Sequence, residues 1–287
     1  MSPRLIRCDL SLPNYFTYPP APGVDTRPMI PRKEARALYM RGEFGTKPNG
    51  ELRPIVAHNT THLDVPYHFL DAGDDLAAVL NRDDLPADRP SLARVVWLGG
   101  RPELPGAYTR YGVTYCEAIT AALLPPARAL AGYESLVVLT GFGGVMAQPR
   151  DGQFVPDTDG SYHIPHLTDD AVDVILQAGI RLVALDSTTV EAQTQVEPIR
   201  FGSDVHFRLL GNARPVLIVE GLCGATLSRQ MGMEPAEALL HIVPRRVNAV
   251  GAEAAHSRAF LYVYRDDPDG SALRQLQGML HAEELYG

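Results

Sequence analysis

Four side chains able to hold a cation, His58, His62, Asp64 and His68, fall within one short segment, His58-Asn-Thr-Thr-His62-Leu-Asp64-Val-Pro-Tyr-His68. Their spacing restricts what this part of the chain can become. On a helix, at about 100° per residue, His58 and His62 share a face while Asp64 and His68 swing to another. Thr60, Thr61, Val65 and Pro66 also disfavour a helix interior. In an extended chain all four have the same parity and point to one side. A straight strand still separates His58 from Asp64 by roughly 20 Å, at about 3.3 Å per residue, too far to share one ion. The segment is therefore expected to curl at Asn59-Thr60-Thr61, which brings His58 back beside His62 and Asp64.

A curl of this kind offers two imidazoles and a carboxylate to one ion, a set suited to Zn²⁺, Mn²⁺ or Fe²⁺. Three protein ligands leave a position for water, which a catalytic site needs and a structural site does not. The bland alternative is a histidine-rich polar loop with ordinary hydrogen bonds and no metal. Further ligands are expected from His206 and Glu220. Glu220 ends the apolar run Val216-Leu-Ile-Val-Glu220, where an uncompensated buried charge is costly. It is read as a metal-bound or water-activating carboxylate, against a salt bridge with an arginine or plain exposure at a strand end.

Short apolar runs at Ala93–Leu98, Leu136–Thr140, Leu182–Asp186, Val216–Glu220 and Ala259–Tyr264 read as buried strands. Helices are expected at Tyr115–Leu124, Asp169–Gln177, Pro235–Leu240 and Ser271–Leu285, with Thr168 as N-cap and Gly179 just past the end of the second. Strands mixed with helices, no internal repeat and no convincing boundary indicate a single α/β or α+β domain over residues 1–287. Residues 1–50, rich in Pro, Tyr and Gly, read as an irregular arm whose Tyr15, Phe16 and Tyr18 pack on the body or on a second subunit.

The 287 residues, 45% hydrophobic and 21% charged, have the balance of a globular protein able to bury a core. A formal net charge of −8, with no basic run beyond Arg245-Arg246, disfavours a nucleic-acid partner. No long apolar stretch predicts a membrane span, and the N-terminus lacks a secretory apolar core, so a cytoplasmic location is the default expectation. Cys8, Cys116 and Cys223 are widely spaced, so any metal is held by nitrogen and oxygen. The chain has no Gly-x-Ser-x-Gly elbow and no phosphate or dinucleotide cradle. His163 and His166 read as loop histidines with ordinary partners, and His241, His256 and His281 as structural. Asp157-Thr-Asp159-Gly160 reads as a turn, since it lacks the rest of a calcium loop.

The residues resemble the cyclase family that includes bacterial kynurenine formamidase and isatin hydrolase. Its signature, His-x-Gly-Thr-His-x-Asp-x-Pro-x-His, is matched by His58 through His68, with Thr60 in the glycine's place. Asp9-Leu-Ser11, Thr140-Gly141-Phe142 and the segment Leu182-Val-Ala-Leu-Asp186 through Glu191 resemble further family segments, in the family's order. The resemblance implies a compact α/β kynurenine-formamidase-like (swivelling β/β/α) fold, commonly a homodimer. It implies that His58, His62 and Asp64 hold a first metal, that Asp64, His206 and Glu220 complete a second, with Glu220 also near the first, and that His68 is the general acid/base. One or two Zn or Mn ions would act on a small-molecule substrate. Tyr67 and Phe69 are candidate contacts for an aromatic one. The His206–Glu220 interval is longer than the family's by about two residues, and Thr188, Thr189 and Glu191 stand where Ser and Asp are usual, which suggests an altered substrate pocket. The expected chemistry is hydrolysis of an arylformamide or cyclic amide. A lyase or cyclase reaction, or a non-catalytic metal- or ligand-binding role on the same scaffold, stand as the alternatives.

Overall fold

All five apolar runs marked as strands pair into one sheet. The computed structural model describes residues 4–11, 61–147, 163–195, 200–201, 204–224, 234–245, 251–265, 267 and 270–284. Among these residues the sheet has eight strands: β1 (Arg4–Asp9), β2 (His62–Asp64), β3 (Pro90–Trp97), β4 (Ser135–Leu139), β5 (Leu182–Leu185), β6 (Leu217–Glu220), β7 (Glu237–Pro244) and β8 (Ala254–Arg265). Strands β3, β4, β5 and β6 run parallel, with antiparallel β7 beyond β3 and antiparallel β2 beyond β6. The long β8 joins the two ends. One edge pairs with β7, and the other pairs in turn with β2 through Ala254–His256 and with β1 through Phe260–Arg265. The sheet thereby curls back on itself in a barrel-like closure.

Closure gives the sheet an inside and an outside, and strand parity sorts the side chains between them. Leu63, Val95, Val137, Leu139, Leu182, Ala184, Leu217, Val219, Leu240, Ala255 and Leu261 belong to one inner cluster of buried residues. Each fully buried Leu or Val contributes about 1.5–3 kcal/mol relative to exposure. The described helices are α1 (Leu76–Leu80), α2 (Ala127–Leu130), α3 (Gly143–Met146), α4 (Asp169–Ala178), α5 (Val205–Leu210) and α6 (Ser271–Glu284). The alternate residues Leu136, Val138, Val183, Leu185 and Ile218 face outward, where they pack with Ala171, Val172 and Ile175 of α4 and with Val205 and Leu209 of α5. His62, Asp64 and Glu220 share this outward parity, so β2 and β6 present them on the helix-covered face.

Two expected helices are corrected. Tyr115–Leu124 holds instead the end of a hairpin, Ala107–Arg110 with Val113–Cys116, then a short strand at Ala118–Ile119 and a 3-10 turn at Ala121–Leu123. The left-handed Tyr111 and Gly112 turn that hairpin, and Tyr115 and Cys116 are buried, which outweighs the helix formers after Glu117. Pro235–Leu240 is rich in helix-forming residues, yet β7 covers most of it. Pairing with β3 on one side and β8 on the other overrides local propensity. Helix α4 matches its expected position, with Gly179 left-handed at its end, but the Thr168 hydroxyl donates to the Ile119 carbonyl rather than capping the helix. Within the expected irregular arm, Arg4–Asp9 is regular strand, because all six residues find partners on β8. The expectations for Tyr15, Phe16 and Tyr18, and for Asp157 and Asp159, fall outside the described residues.

Candidate metal centre

Backbone register assembles the centre. On β2, Asp64 stands opposite Ile218 and His62 opposite Glu220. On the other side, Ala254 stands opposite Asp64 and His256 opposite His62. Glu220 is the last residue of β6, so the cluster lies at the carboxyl end of a parallel strand, where open α/β sheets commonly bind ligands. Thr61 anchors the start of β2, since its hydroxyl donates to the Gly221 carbonyl at 2.6 Å. Helix α5 adds His206 from the layer above.

Four side chains converge here with almost no exposure: Asp64 at 0%, His62 at 1%, and Glu220 and His206 at 4% each. His62 Nε2 lies 3.5 Å from Asp64 Oδ1 and 3.3 Å from Glu220 Oε2. His206 Nε2 lies 3.8 Å from Asp64 Oδ2 and 3.3 Å from Glu220 Oε1. Both carboxylates thus stand between the two imidazoles, with one oxygen turned toward each. Among the described residues, two overlapping groups have ligand atoms within 4.8 Å of one another, His62–Asp64–Glu220 and Asp64–His68–His206, and Asp64 belongs to both.

These separations fit a cation better than direct hydrogen bonds. Ligands about 2.1 Å from a tetrahedral ion stand about 3.4 Å apart, whereas N–H···O bonds cluster at about 2.9–3.0 Å. The electrostatics agree. Burial alone would lower the His62 pKa, but Asp64 and Glu220 beside it overcome this and carry it up to about 10. His206 is likewise raised against its burial by Asp64, Glu191 and Glu220. Burial raises Glu220, yet the two imidazoles bring it below its ordinary value. In the absence of an ion, protons on the histidines balance the buried carboxylates; a divalent cation can take their place. Nitrogen and carboxylate oxygen donors suit Zn²⁺ or Mn²⁺.

The structure brings His62, Asp64, His206 and Glu220 together, while His58 lies outside the described residues. His68 reaches the cluster by a bend that falls after Asp64. Pro66–His68 forms a 3-10 turn closed by the His68 N–H donating to the Val65 carbonyl at 2.8 Å. Gly73 supports this turn, because a Cβ there would meet the Pro66 carbonyl carbon at 2.6 Å. Phe69 stacks on His206, with centroids 4.6 Å apart and planes 14° apart, and its edge meets the half-exposed Phe207. Tyr67, by contrast, packs against the inner core. His163 and His166 have ordinary partners, Glu117 and the Ile164 carbonyl.

Two residues outside the expected set complete the surroundings. Glu191 Oε1 accepts the His206 backbone N–H at 2.9 Å and lies 3.1 Å from His206 Nδ1. This fixes the ring so that Nε2 faces the carboxylates. Glu253 Oε2 lies 3.2 Å from His68 Nδ1. No local pattern marks Glu253, since 185 positions separate it from His68. Asp186 has a different task. It accepts the Thr140 N–H and hydroxyl on one oxygen and the Gly141 and Gly143 N–H groups on the other, clasping the ends of β4 and β5. Burial pushes its carboxyl up to about 6 against these donors. Gly141, left-handed and within 2.8 Å of the Thr114 carbonyl at its Cβ position, admits no side chain.

A barrel-like α/β sheet with a buried His–Asp–His–Glu cluster at a strand end defines a class of protein with a candidate metal centre. Residues 8–192 match the family described as cyclases, and the chain belongs to that family. Several solved structures share the fold. One, described as a novel cyclase, has a TM-score of 0.53 and 16% identity over 91% of this chain and 89% of that one. A second, described as a potential metal-dependent hydrolase with cyclase activity, has a TM-score of 0.52 and 16% identity over 90% and 98% of the two chains. Isatin hydrolase A from Labrenzia aggregata, solved with benzyl benzoate, has a TM-score of 0.51 and 17% identity over 90% and 94%. A comparison with curated protein sequences gives no significant match.

Proposed function

We propose that the protein is a metal-dependent hydrolase that opens an amide bond, in an arylformamide or a cyclic amide. The buried cluster of His62, Asp64, His206 and Glu220, with the more exposed His68 at its edge, is the observation that carries this reading. His62, Asp64, His206 and Glu220 would hold one or two Zn²⁺ or Mn²⁺ ions, with His58 as a further ligand. Such a cation lowers the pKa of a water molecule and polarises a carbonyl group.

The chain's own residues supply the rest. Glu191 holds His206 so that its Nε2 faces the centre. With its side chain 20% exposed, against 5% or less for the four buried ligands, His68 is the imidazole a substrate can reach. It takes the proton that water gives up as its oxygen bonds to the carbonyl carbon, then hands it to the nitrogen as the C–N bond breaks. Phe69 and Phe207 offer an aromatic surface beside His206 for a flat substrate. The likeness of fold to isatin hydrolase A favours a small aromatic amide.

Formanilide, isatin, a simple lactam and a lactone, each offered to zinc- and manganese-loaded protein, test the reading. Metal-dependent turnover of formanilide or isatin above the lactone is the expected result. Addition or loss of water that leaves the amide C–N bond intact would point instead to a lyase or cyclase. No turnover with any of the four would contradict amide hydrolysis.

A further inference from the structure

We propose that Glu253 is the positioning residue of His68, holding its imidazole in the tautomer with the proton on Nδ1, so that Nε2 is the nitrogen that exchanges a proton with the substrate. The inference rests on the reading above, in which His68 moves the proton. Glu253 is 6% exposed and its Oε2 lies 3.2 Å from His68 Nδ1.

Both partners are fixed by backbone structure. Glu253 immediately precedes β8, whose first residue, Ala254, is in register with Asp64. Its carbonyl accepts the Val65 N–H at 3.2 Å. The two residues before it are tied to α1: the Ala252 carbonyl accepts the Leu76 N–H, and the Gly251 N–H donates to Asp75 Oδ2 at 2.7 Å. His68 is set by Pro66, whose ring fixes φ, and by the 3-10 turn packed against Gly73. The backbone of Glu253 thus receives the exit of β2, and its side chain meets the turn into which that exit leads.

A neutral imidazole carries a proton on one nitrogen and a lone pair on the other. A buried carboxylate beside Nδ1 selects Nδ1–H, so the lone pair falls on Nε2. When Nε2 takes a proton, the carboxylate also stabilises the imidazolium that forms. Within the same site, Glu191 stands in the same relation to Nδ1 of His206. One Glu–His pair would thus prepare a ligand nitrogen and the other a proton-carrying nitrogen.

The test uses Glu253→Ala and Glu253→Gln in zinc-loaded protein, each also combined with His68→Ala. Imidazole ¹⁵N–¹H spectra of histidine-labelled protein should show His68 as the Nδ1–H tautomer in the wild type. Glu253→Ala should lose that preference, and Glu253→Gln should largely keep it, because its amide oxygen still accepts from Nδ1–H. With formanilide and isatin, Glu253→Ala should lower kcat about 10- to 100-fold, with KM within about twofold and zinc content unchanged. Glu253→Gln should recover part of the loss, and neither substitution should lower activity further once His68 is alanine. An unchanged tautomer in Glu253→Ala, or an equal loss of kcat in the His68→Ala background, would overturn the proposal. Full activity in His68→Ala alone would instead overturn the role given to His68. Should neither probe be turned over, the tautomer measurement decides the role of Glu253.

Discussion

His68→Ala should keep its metal and lose about a thousandfold in kcat, within the range by which a well-placed acid/base accelerates proton transfer. The expectation follows from two contrasts. His62, Asp64, His206 and Glu220 are almost wholly buried and face one another at 3.3–3.8 Å, as donors gathered round a cation would. His68 has its Nδ1 beside Glu253 and a side chain reachable from solvent. It also stands within 4.8 Å of ligand atoms on Asp64 and His206, close enough to serve as a ligand itself. The two roles separate cleanly in one experiment. A proton carrier that is removed leaves the metal in place and the rate low, whereas a removed ligand lowers both. Metal content and kcat measured on the same preparation should therefore diverge. A parallel fall in the two would make His68 a ligand, and undiminished turnover would remove it from the mechanism.

Stripping the metal should lower the melting temperature by about 10 °C, and the loss should grow with pH. A ligand present at about a thousand times its Kd stabilises the folded chain by about 4 kcal/mol, and for a chain of this size each kcal/mol is worth about 2–4 °C. The pH dependence has a definite sign. In the metal-free protein, His62 titrates near 10, well above its ordinary 6.5, because Asp64 and Glu220 prefer it charged. Its contribution to stability is then fully present below about 6.5 and is lost as the pH rises through about 10. Glu220 is shifted down from 4.5, so its contribution is present above that value and is lost in acid. The metal-free protein should accordingly be most stable between these limits and weaken above them. Metal binding runs the other way, since the imidazoles must shed their protons to act as ligands. The gap between loaded and chelator-treated protein should be small near pH 6 and wide near pH 9. Calorimetry at the two pH values checks this. A gap that narrows toward alkaline pH, or no gap at all, would mean that the cluster does not bind metal through these histidines.

The parts of this architecture legible in the sequence are those whose burial is written locally. Strands β3 to β6 are covered on both faces, so each reads as a mostly apolar run, legible even in β3, where Arg94 interrupts it. The outward parity of His62 and Asp64 was legible for a related reason. Extended chain alternates sides, and Leu63 between them is buried inside. Strand β7 was not legible, because Glu237-Ala-Leu-Leu favours helix until two neighbouring strands claim it. The curl expected to bring back His58 falls at Asn59 and Thr60, outside the described residues, and a second bend, which local spacing does not reveal, brings His68 to the cluster. Its cause is Pro66 at the head of a 3-10 turn, supported by Gly73 from outside the motif. Glu253 was beyond reach. Nothing near it in sequence hints at a role, and it meets His68 only because β8 closes the curled sheet onto β2. The resemblance segments around Thr140-Gly141 and Asp186 were recognisable as a pattern, but only the structure shows that they are two halves of one clasp.

We propose that the cluster around Asp64 binds the cation on which activity depends. Elemental analysis of the purified wild-type protein beside Asp64→Ala tests it most directly. Among the described residues Asp64 is shared by both ligand groups, so its loss should empty whatever the cluster holds. The predicted result is roughly one or two equivalents of zinc or manganese in the wild type and almost none in the variant, with amide hydrolysis lost alongside the metal. A wild type that carries no metal and gains no activity from added Zn²⁺ or Mn²⁺, or an Asp64→Ala variant that keeps both metal and turnover, would contradict it.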